Sequence, residues 1–376
     1  MGYRLGTHIK FINLHRIYLF LLIFVFQYST CKHNVYYFVN LKNFDPSLVE
    51  QYRATLCSYE NYPQEILSFN KMEKLFNYFA FKEPFLQAIF QGYNLIITNS
   101  LINLENVKFI ITEEVPKDDH DINLLLQYPK SQRILFSYET QISNPRSHLP
   151  KYLNYYEKIF TWNQQFVDNK KVFWLPAWIV WIDPMYMIED IPSFQNKKIC
   201  TLVASYMDSA HANSNHKERM QLINLCEQED GLLDIYGTGW PKGKFRNYKG
   251  KISFNGNRRS NKINTIKNYR FYLCYENTKN VRGYITEKIF ECFAAGCIPI
   301  YSGAIDIAQY IPRNCFIARS SFINEEELIH FMKSIDQKTY NEYLQNIRRF
   351  FKSDKAQLLS REWYVQKIRQ LLLLHD

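Results

Sequence analysis

Three side chains that could hold a phosphorylated ligand stand together at the start of a predicted helix. Tyr284, Glu287 and Lys288 lie at the amino end of the helix predicted over residues 286–296, which a polar loop joins to the apolar strand predicted over residues 271–277. Free N–H groups and the helix dipole favour an anion there. Lys288 adds positive charge, and Glu287 can accept hydrogen bonds from ribose hydroxyls. The pattern suits a nucleoside diphosphate, but it is also typical of a capped surface helix.

Hydrophobic spacing predicts the elements that position these residues. Thr286 is a suitable N-cap, and Gly296 is a natural helix stop. Between them, apolar side chains recur at three- and four-residue spacing, which predicts one face packed on a core. The apolar run at residues 297–303 then predicts a second strand. The phosphate-binding candidates therefore lie between two strands of an α/β unit.

Strands alternate with helices along most of the chain, which predicts parallel sheets of the α/β class. The predicted strands are 35–41, 93–99, 107–112, 133–139, the end of 149–163, 199–205, 232–239, 271–277 and 297–303. The predicted helices are 71–91, 216–226, 286–296, 325–335, 339–350 and 361–374.

The length of the chain predicts two domains. It has 376 residues, and single cores stop growing at ~250–300 residues. Pro184, Pro192 and several polar residues mark residues 183–197 as a linker. The expected division is an amino-terminal domain over 34–182, a carboxyl-terminal domain over 198–350 and a final helix within 351–376.

The amino terminus has the layout of a targeting segment. Residues 17–26 are uninterrupted apolar residues preceded by basic ones, and the apolar stretch extends less strictly over 11–28. We expect residues 1–33 to form a cytoplasmic tail and an uncleaved signal-anchor of a type II membrane protein, Golgi-like in a eukaryotic cell. A cleaved signal peptide, giving a secreted or peripheral protein, is the alternative. The chain contains no N-x-Ser/Thr sequon, which weakens the argument that it passes through a glycosylating secretory route but does not exclude it.

Charge and cysteine content exclude several classes of protein. The net charge of +10 favours an anionic partner, but the chain has no recognisable nucleic-acid-binding module, so we expect no nucleic acid. The eight cysteines include no C-x-x-C pair, which argues against structural zinc and thioredoxin-like chemistry. Most lie in apolar strings and are expected to be buried thiols, with disulfides left open.

The segment 271–304 resembles the donor-binding motif of the α-1,3-fucosyltransferase family, glycosyltransferase family 10. The family pattern is close to F-x-L-x-F-E-N-S/T, then Y-I/V-T-E-K-I/L, then P-I/V-x-x-G, and this chain has FYLCYENT, YITEKIF and IPIYSG in that order. The resemblance implies a GT-B fold, in which two Rossmann-like domains face a cleft. It also implies GDP-fucose as the donor and an inverting transfer. The residues implied to contact the nucleotide and diphosphate are Asn277, Tyr284, Glu287 and Lys288.

The same resemblance implies a phosphate clamp and a base. Arg219, on a helix after the strand ending V-A-S, takes the place of an arginine that binds phosphate oxygens, although the preceding insertion is longer than expected. Glu139 matches the general base of a motif written roughly F/Y-x-G-E, with Tyr138 in place of the glycine. A general base of this kind increases the rate of the reaction ~10²–10⁴-fold. Glu113 and Glu114, after another predicted strand, are rival candidates.

We expect no metal in donor binding, because Lys288 and Arg219 supply positive charge. The D-x-D string Asp119-His120-Asp121 is therefore interpreted as a hydrated acidic loop. The leading hypothesis is fucose transfer to a glycan acceptor, α-1,3 to N-acetylglucosamine. Two alternatives are a GT-B transferase that uses another nucleotide sugar and a membrane-anchored glycan-binding protein without catalysis.

Overall fold

The computed structural model describes residues 33–38, 83–98, 100–177, 187–207, 211–252, 258–358 and 360–374. These residues form two parallel sheets of six strands each. The expected anchor at residues 11–28 lies outside the described ranges. Among the helices within those ranges, none is both long and apolar enough to cross a membrane.

The first sheet is built from the amino-terminal half. Its strands are β1 (Asn34–Phe38), β2 (Asn94–Thr98), β3 (Val107–Glu113), β4 (Arg133–Ser137), β5 (Lys158–Thr161) and β6 (Val172–Trp174). Its helices are α1 (Glu83–Ile89), α2 (Asp119–Leu126) and α3 (Pro150–Leu153). The strand order is β2-β1-β3-β4-β5-β6, so the carboxyl ends of β3 and β4 lie side by side.

The second sheet has the strand order of a dinucleotide-binding domain. Its strands are β7 (Lys198–Val203), β8 (Leu233–Tyr236), β9 (Tyr248–Gly250), β10 (Tyr269–Tyr275), β11 (Ile298–Ser302) and β12 (Ile317–Ala318). Read across the sheet, the order β9-β8-β7-β10-β11-β12 is the 3-2-1-4-5-6 arrangement. The order in which successive strands are added reverses between β7 and β10, although the strands themselves stay parallel. Ligands of such sheets bind beyond the carboxyl ends of the strands at that point.

Helices cover the second sheet and then return to the first. The helices are α4 (His216–Cys226), α5 (Arg258–Ile266), α6 (Glu287–Ala294), α7 (Ile307–Tyr310), α8 (Glu325–Ser334), α9 (Gln337–Phe351), α10 (Asp354–Gln357) and α11 (Arg361–Leu372). Asn324 caps α8 and Asp336 caps α9 through side-chain oxygens that accept backbone N–H groups.

Burial on both faces explains the unbroken apolar strands. Successive residues point to opposite faces of a sheet, and in β4 the side chains of Leu135 and Phe136 pack into two different buried clusters. The cluster containing Phe136 continues through the second sheet and its helices, where it includes Phe271 of a strand and Phe290 of α6. Six cysteines among the described residues are buried free thiols, as expected for cysteines in apolar strings.

The last helix joins the two halves of the chain. The Tyr364 ring of α11 packs 5.1 Å from the Phe85 ring of α1, centroid to centroid. Arg369 donates a hydrogen bond of 2.8 Å to the carbonyl of Ile89. The hydroxyl groups of Tyr364 and Tyr138 are 2.9 Å apart, so α11 also touches the segment after β4.

Several local expectations differ from the structure. Residues 119–121 begin α2 instead of lying in a loop, because Asp118 caps the helix by accepting the N–H of His120. The short strands β6, β9 and β12 were not predicted, since three or fewer residues carry too little periodicity. Of the helix predicted over 71–91, only α1 and the residues after it fall within the described part.

The turn after β8 depends on a glycine. Gly237 has φ +140°, and a Cβ there would lie 1.9 Å from the carbonyl oxygen of Ala204, which follows β7. We expect Gly237→Ala to lower the free energy of unfolding by at least about 3 kcal/mol, because backbone must move. Gly231→Ala is the matched control: φ is +78° with nothing within 4 Å, so strain alone should cost about 1 kcal/mol. Urea denaturation measures both, and equal losses would contradict the close approach.

Candidate active site

A buried carboxylate organises the carboxyl end of β10. Glu276 directly follows the strand and has no solvent exposure. Its carboxylate accepts hydrogen bonds from the Thr286 N–H at 2.8 Å, the Thr286 hydroxyl at 2.7 Å and the Lys288 ammonium at 2.9 Å. Thr286 therefore occupies the predicted N-cap of α6, but its hydroxyl bonds to Glu276 instead of capping the helix. One side chain thus fixes the start of α6 and the direction of Lys288.

Lys288 and Glu287 titrate as members of a charged group. Burial alone would lower the pKa of Lys288, but the carboxylates of Glu276 and Glu287 outweigh it and raise that pKa above its ordinary value. Burial would likewise raise the pKa of Glu287, and the charges of Lys288 and Lys262 overcome this and lower it. Both side chains are therefore charged at neutral pH, and the Lys288 charge is shared with a buried partner.

Arg219 lies beneath the same edge of the sheet. It projects from α4, is 4% exposed, and donates a hydrogen bond of 2.9 Å to the carbonyl of Tyr275, the last residue of β10. Burial lowers the pKa of its guanidinium from the ordinary value. Its Nε is buried and has no hydrogen-bond partner among the described residues. A polar group left in this state fits a position that a ligand or water completes.

Asn215, immediately before α4, ties the two predicted motifs together. Its amide donates to the carbonyl of Glu276 at 2.9 Å and to the carbonyl of Ser302 at 3.0 Å, and it has no solvent exposure. The backbone of Asn277 accepts the N–H of Asn215 at 3.4 Å. The segment that carries Arg219 is thereby held against the segment that carries Asn277 and Lys288.

An aromatic contact connects the two sheets. Tyr284 is 3% exposed, and its ring centroid is 4.8 Å from that of Trp162, which follows β5. The Trp162 indole donates to the carbonyl of Glu139 at 3.3 Å. Burial, and after it the charge of Glu139, raises the pKa of Tyr284. The Glu139 carboxylate therefore lies within electrostatic reach of Tyr284, across the cleft.

The backbone of Glu139 is held at both of its polar groups, while its side chain is exposed. Its carbonyl also accepts the Nε2–H of His148 at 2.9 Å. Burial lowers the pKa of His148, so the ring is neutral at pH 7. The N–H of Glu139 donates to the carboxylate of Glu114 at 2.8 Å. Tyr138 fits here without a positive φ, and its side chain packs on the core.

Glu114 stands at the carboxyl end of β3, where sequence analysis placed a rival base. Its carboxylate accepts the N–H of Tyr138 at 2.5 Å and the hydroxyl of Ser137 at 3.3 Å, besides the N–H of Glu139. Burial raises the pKa of Glu114 to about 7, although hydrogen bonds from the Ser147 side chain and from the N–H groups of Glu139 and Tyr138 partly offset it. Its backbone has φ +70°, a left-handed conformation that costs a non-glycine residue about 1–2 kcal/mol.

A cavity of about 270 Å³ lies between the two halves of the chain. Thr140, His148 and Trp162 line it from the first half, and Asn280 and Arg282 line it from the second. The hydroxyls of Thr140 and Thr278, which also lines the cavity, are buried without a hydrogen-bond partner among the described residues. Unpaired buried hydroxyls on a cavity wall are consistent with a polar ligand.

The D-x-D string takes no part in this cleft. Asp119 is exposed and forms an ion pair of 2.6 Å with Arg146, on the outside of the first half. The predicted site residues come from three other segments of the chain. Thr140 and Thr278, which directly follow Glu139 and Asn277, line the cavity. Sequence analysis missed Asn215, Trp162 and the role of Glu276, although the E of the E-N-T string was a visible signal for Glu276.

Two parallel sheets, cationic side chains at a strand-order reversal and a carboxylate across the cleft define a class of protein. That class is the GT-B fold, in which two α/β domains with parallel sheets face a cleft.

Sequence comparisons agree with this class. The family described as "Glycosyltransferase family 10 (fucosyltransferase) C-term" matches residues 192–370. The chain is 24% identical to 4-galactosyl-N-acetylglucosaminide 3-alpha-L-fucosyltransferase 9 of Rattus norvegicus over 280 residues, 71% of this chain and 70% of that protein. It is 36% identical over 80 residues to the Alpha-(1,4)-fucosyltransferase of Arabidopsis thaliana, 21% of this chain and 20% of that one.

Structural comparisons show the fold. A crystal structure of an alpha1,3-fucosyltransferase superposes with a TM-score of 0.54 at 14% identity, covering 93% of this chain and 91% of that one. An alpha-glucosyltransferase solved with UDP and DNA superposes with a TM-score of 0.51 at 10% identity, covering 90% and 98%. Residues 192–370 therefore match a glycosyltransferase family 10 domain, which confirms the resemblance seen in residues 271–304.

Removing Lys288 should expose the cost of burying Glu276. We expect Lys288→Met to lower the free energy of unfolding by about 3 kcal/mol at pH 7, because an unpaired buried carboxylate remains. Adding Glu276→Gln removes that charge and should recover at least half of the loss. Urea denaturation measures both variants. A double variant no more stable than Lys288→Met would contradict the ion-pair account.

Glu114 should make stability depend on pH. Its pKa is about 7 in the folded chain and near the ordinary value of 4.5 when unfolded, so the folded state binds more protons between these values. Its contribution is therefore fully present below pH 4.5 and is lost as pH rises through 7, by up to about 3 kcal/mol. Glu114→Gln stays neutral and should remove this part of the decline between pH 5 and 8. Denaturation curves of both proteins that run parallel across that range would contradict it.

Proposed function

We propose that the protein transfers L-fucose from GDP-fucose to a hydroxyl of a glycan acceptor, with inversion and with Glu139 as the general base. The linkage proposed is α-1,3 to N-acetylglucosamine. Support for the donor comes from the family 10 domain and from the ordered motif of residues 271–288. One relative is named as a 3-alpha-L-fucosyltransferase acting on 4-galactosyl-N-acetylglucosaminide, which supports the acceptor class.

The observation that carries the proposal is the path from Glu139 through Trp162 to Tyr284. It sets an exposed carboxylate on one side of the cleft and the amino end of α6 on the other. A base and a leaving-group site on opposite sides of a cleft suit direct displacement. A glycosidase would need two carboxylates flanking the same bond.

The reaction follows from these roles. Glu139 takes the proton of the acceptor hydroxyl while the hydroxyl oxygen bonds to C1 of fucose, and the bond from C1 to the β-phosphate oxygen breaks. The electron pair of that bond leaves with GDP. Lys288 and Arg219 stabilise the negative charge on the departing diphosphate, and Asn277, Tyr284 and Glu287 hold the nucleotide. We propose that these cations make a metal unnecessary for donor binding, which EDTA treatment tests.

Another nucleotide sugar is the second candidate for the donor. The fold is shared with an alpha-glucosyltransferase solved with UDP, so the architecture accommodates more than one base. Calorimetry with GDP and with UDP separates the two candidates, because a pocket shaped for one base leaves polar groups unpaired with the other. Tighter binding of UDP would favour this second candidate.

The location of the protein is a separate proposal. Residues 11–28 would anchor it in a membrane with its amino end in the cytoplasm, and the cleft would then face a lumenal glycan acceptor. Protease protection of the folded part in sealed vesicles tests that orientation. Accessibility without detergent would contradict it.

Glu139→Gln should abolish fucose transfer while leaving GDP binding unchanged. The amide cannot take a proton from the acceptor, so we expect turnover to fall by ~10²–10⁴-fold. Labelled GDP-fucose with an array of oligosaccharides measures transfer, and calorimetry measures GDP binding.

Glu157→Gln is the matched control, because Glu157 is exposed just before β5 and outside the cleft. It should transfer fucose at the wild-type rate. If Glu139→Gln also keeps that rate, the assignment of the base is wrong. If no protein transfers fucose while all bind the acceptor, a non-catalytic glycan-binding protein is the better description.

A further inference from the structure

The short segment after β4 contains the proposed base and lies outside regular secondary structure. β4 ends at Ser137, so Tyr138 and Glu139 have no strand partners for their N–H groups. Both groups donate to the same atom, Oε1 of Glu114, at 2.5 Å and 2.8 Å. The second oxygen of Glu114, Oε2, accepts the hydroxyl of Ser137 at 3.3 Å. Glu114, the residue after the neighbouring strand β3, thus supplies through one side chain the hydrogen bonds that the segment would otherwise lack.

The backbone of Glu114 shows that this arrangement is imposed by its surroundings. Its φ of +70° lies in the left-handed region, where residues other than glycine, asparagine and aspartate are rare. Such conformations persist where neighbouring contacts determine them, and they concentrate at functional sites. Here the left-handed turn comes directly after β3, beside the end of β4, where the carboxylate meets both N–H groups.

We propose that Glu114 is a positioning residue for the transfer reaction, and that it sets the direction of Glu139 by accepting the N–H groups of Tyr138 and Glu139. The proposal rests on the proposed function, in which Glu139 is the base. Two donors fixed on one oxygen define the orientation of both peptide planes. These two planes meet at the Cα of Tyr138, and the second of them ends at the Cα of Glu139. The next plane is held through the carbonyl of Glu139, which accepts hydrogen bonds from His148 and Trp162. The Cβ of Glu139 therefore leaves the backbone between two fixed planes, one of which Glu114 holds.

The geometry separates this role from that of a second base. Oε1 of Glu114 is occupied by two N–H donors and Oε2 by a hydroxyl donor. A base needs a free oxygen within hydrogen-bond reach of the proton it removes. Glu139 is exposed and Glu114 is not, so the acceptor meets Glu139.

Three substitutions distinguish an acceptor role from a charge role. Glu114→Gln keeps Oε1 as an acceptor for both N–H groups, and its amide can donate to the Ser137 hydroxyl. Glu114→Asp keeps the charge but is one methylene shorter, so it cannot reach both N–H groups from the same backbone position. Glu114→Ala removes the acceptor. We expect kcat within about threefold of wild type for Gln and about 10–100-fold lower for Asp and Ala, since a shift near 1 Å has that effect.

Donor binding provides the readout that a general loss of structure would change. Because Lys288 and Arg219 lie at the other sheet, all three variants should bind GDP with wild-type affinity by calorimetry and should keep KM for GDP-fucose within about twofold. Glu105→Gln is the matched control: it removes the same charge before β3, at the opposite end of the strand, where the side chain is exposed. It should leave kcat unchanged.

The outcomes separate this inference from the proposed function. If Glu114→Gln is as slow as Glu114→Ala, or if Glu114→Asp turns over at the wild-type rate, the positioning role is overturned. A wild-type kcat in Glu114→Ala overturns it too. If Glu139→Gln keeps full activity in the same assay, the proposed base is wrong regardless of Glu114. If Glu114→Ala fails to fold, the difference in kcat between Glu114→Gln and Glu114→Asp still tests the positioning role.

Discussion

The carboxylate of Glu276 has no solvent exposure, and the residues at the carboxyl end of β10 are arranged around it. This end of the second sheet, with Glu276, Glu287, Lys288 and Arg219, is called the donor edge below. A buried charge is costly unless oppositely charged and hydrogen-bonding groups surround it. Thr286 supplies two donors and Lys288 a third, while Asn215 binds the carbonyl of Glu276. The end of β10, the start of α6 and the segment before α4 are therefore held as one unit. The orientation of Lys288 is a consequence of this unit.

At the first sheet, side chains from other segments likewise hold the residues after a strand, here by hydrogen bonds to the backbone of Glu139. Glu139 lies beyond the end of β4, and its backbone is fixed by Glu114, Trp162 and His148 from three other segments. Tyr364 of α11 bonds to the adjacent Tyr138. Loops that carry function gain their precision from the rigid elements beneath them. The return of the last helix to the first sheet therefore bears directly on the proposed base.

Charge at the donor edge is balanced, although the chain as a whole carries +10. The positive groups Lys288 and Arg219 stand beside the negative groups Glu276 and Glu287. A diphosphate would therefore be held by the direction of particular N–H groups more than by net charge, because opposite charges a few ångströms apart largely cancel at longer range. Such a site favours a ligand of defined shape over polyanions in general.

Sequence alone determined the α/β class, the order of most strands and helices, and the donor motif, because burial on both faces demands apolar runs and the motif residues are close together along the chain. It also pointed to Glu139 and to its rival Glu114. Only the tertiary structure decided that these two are hydrogen-bonded neighbours, that Lys288 is paired with Glu276, and that Trp162 joins the sheets. The residues in these contacts are 12 to 122 positions apart along the chain. Local hydrophobic periodicity carries no information about contacts at such separations in sequence. The short strands escaped prediction for the opposite reason: they are too brief to show a period of their own.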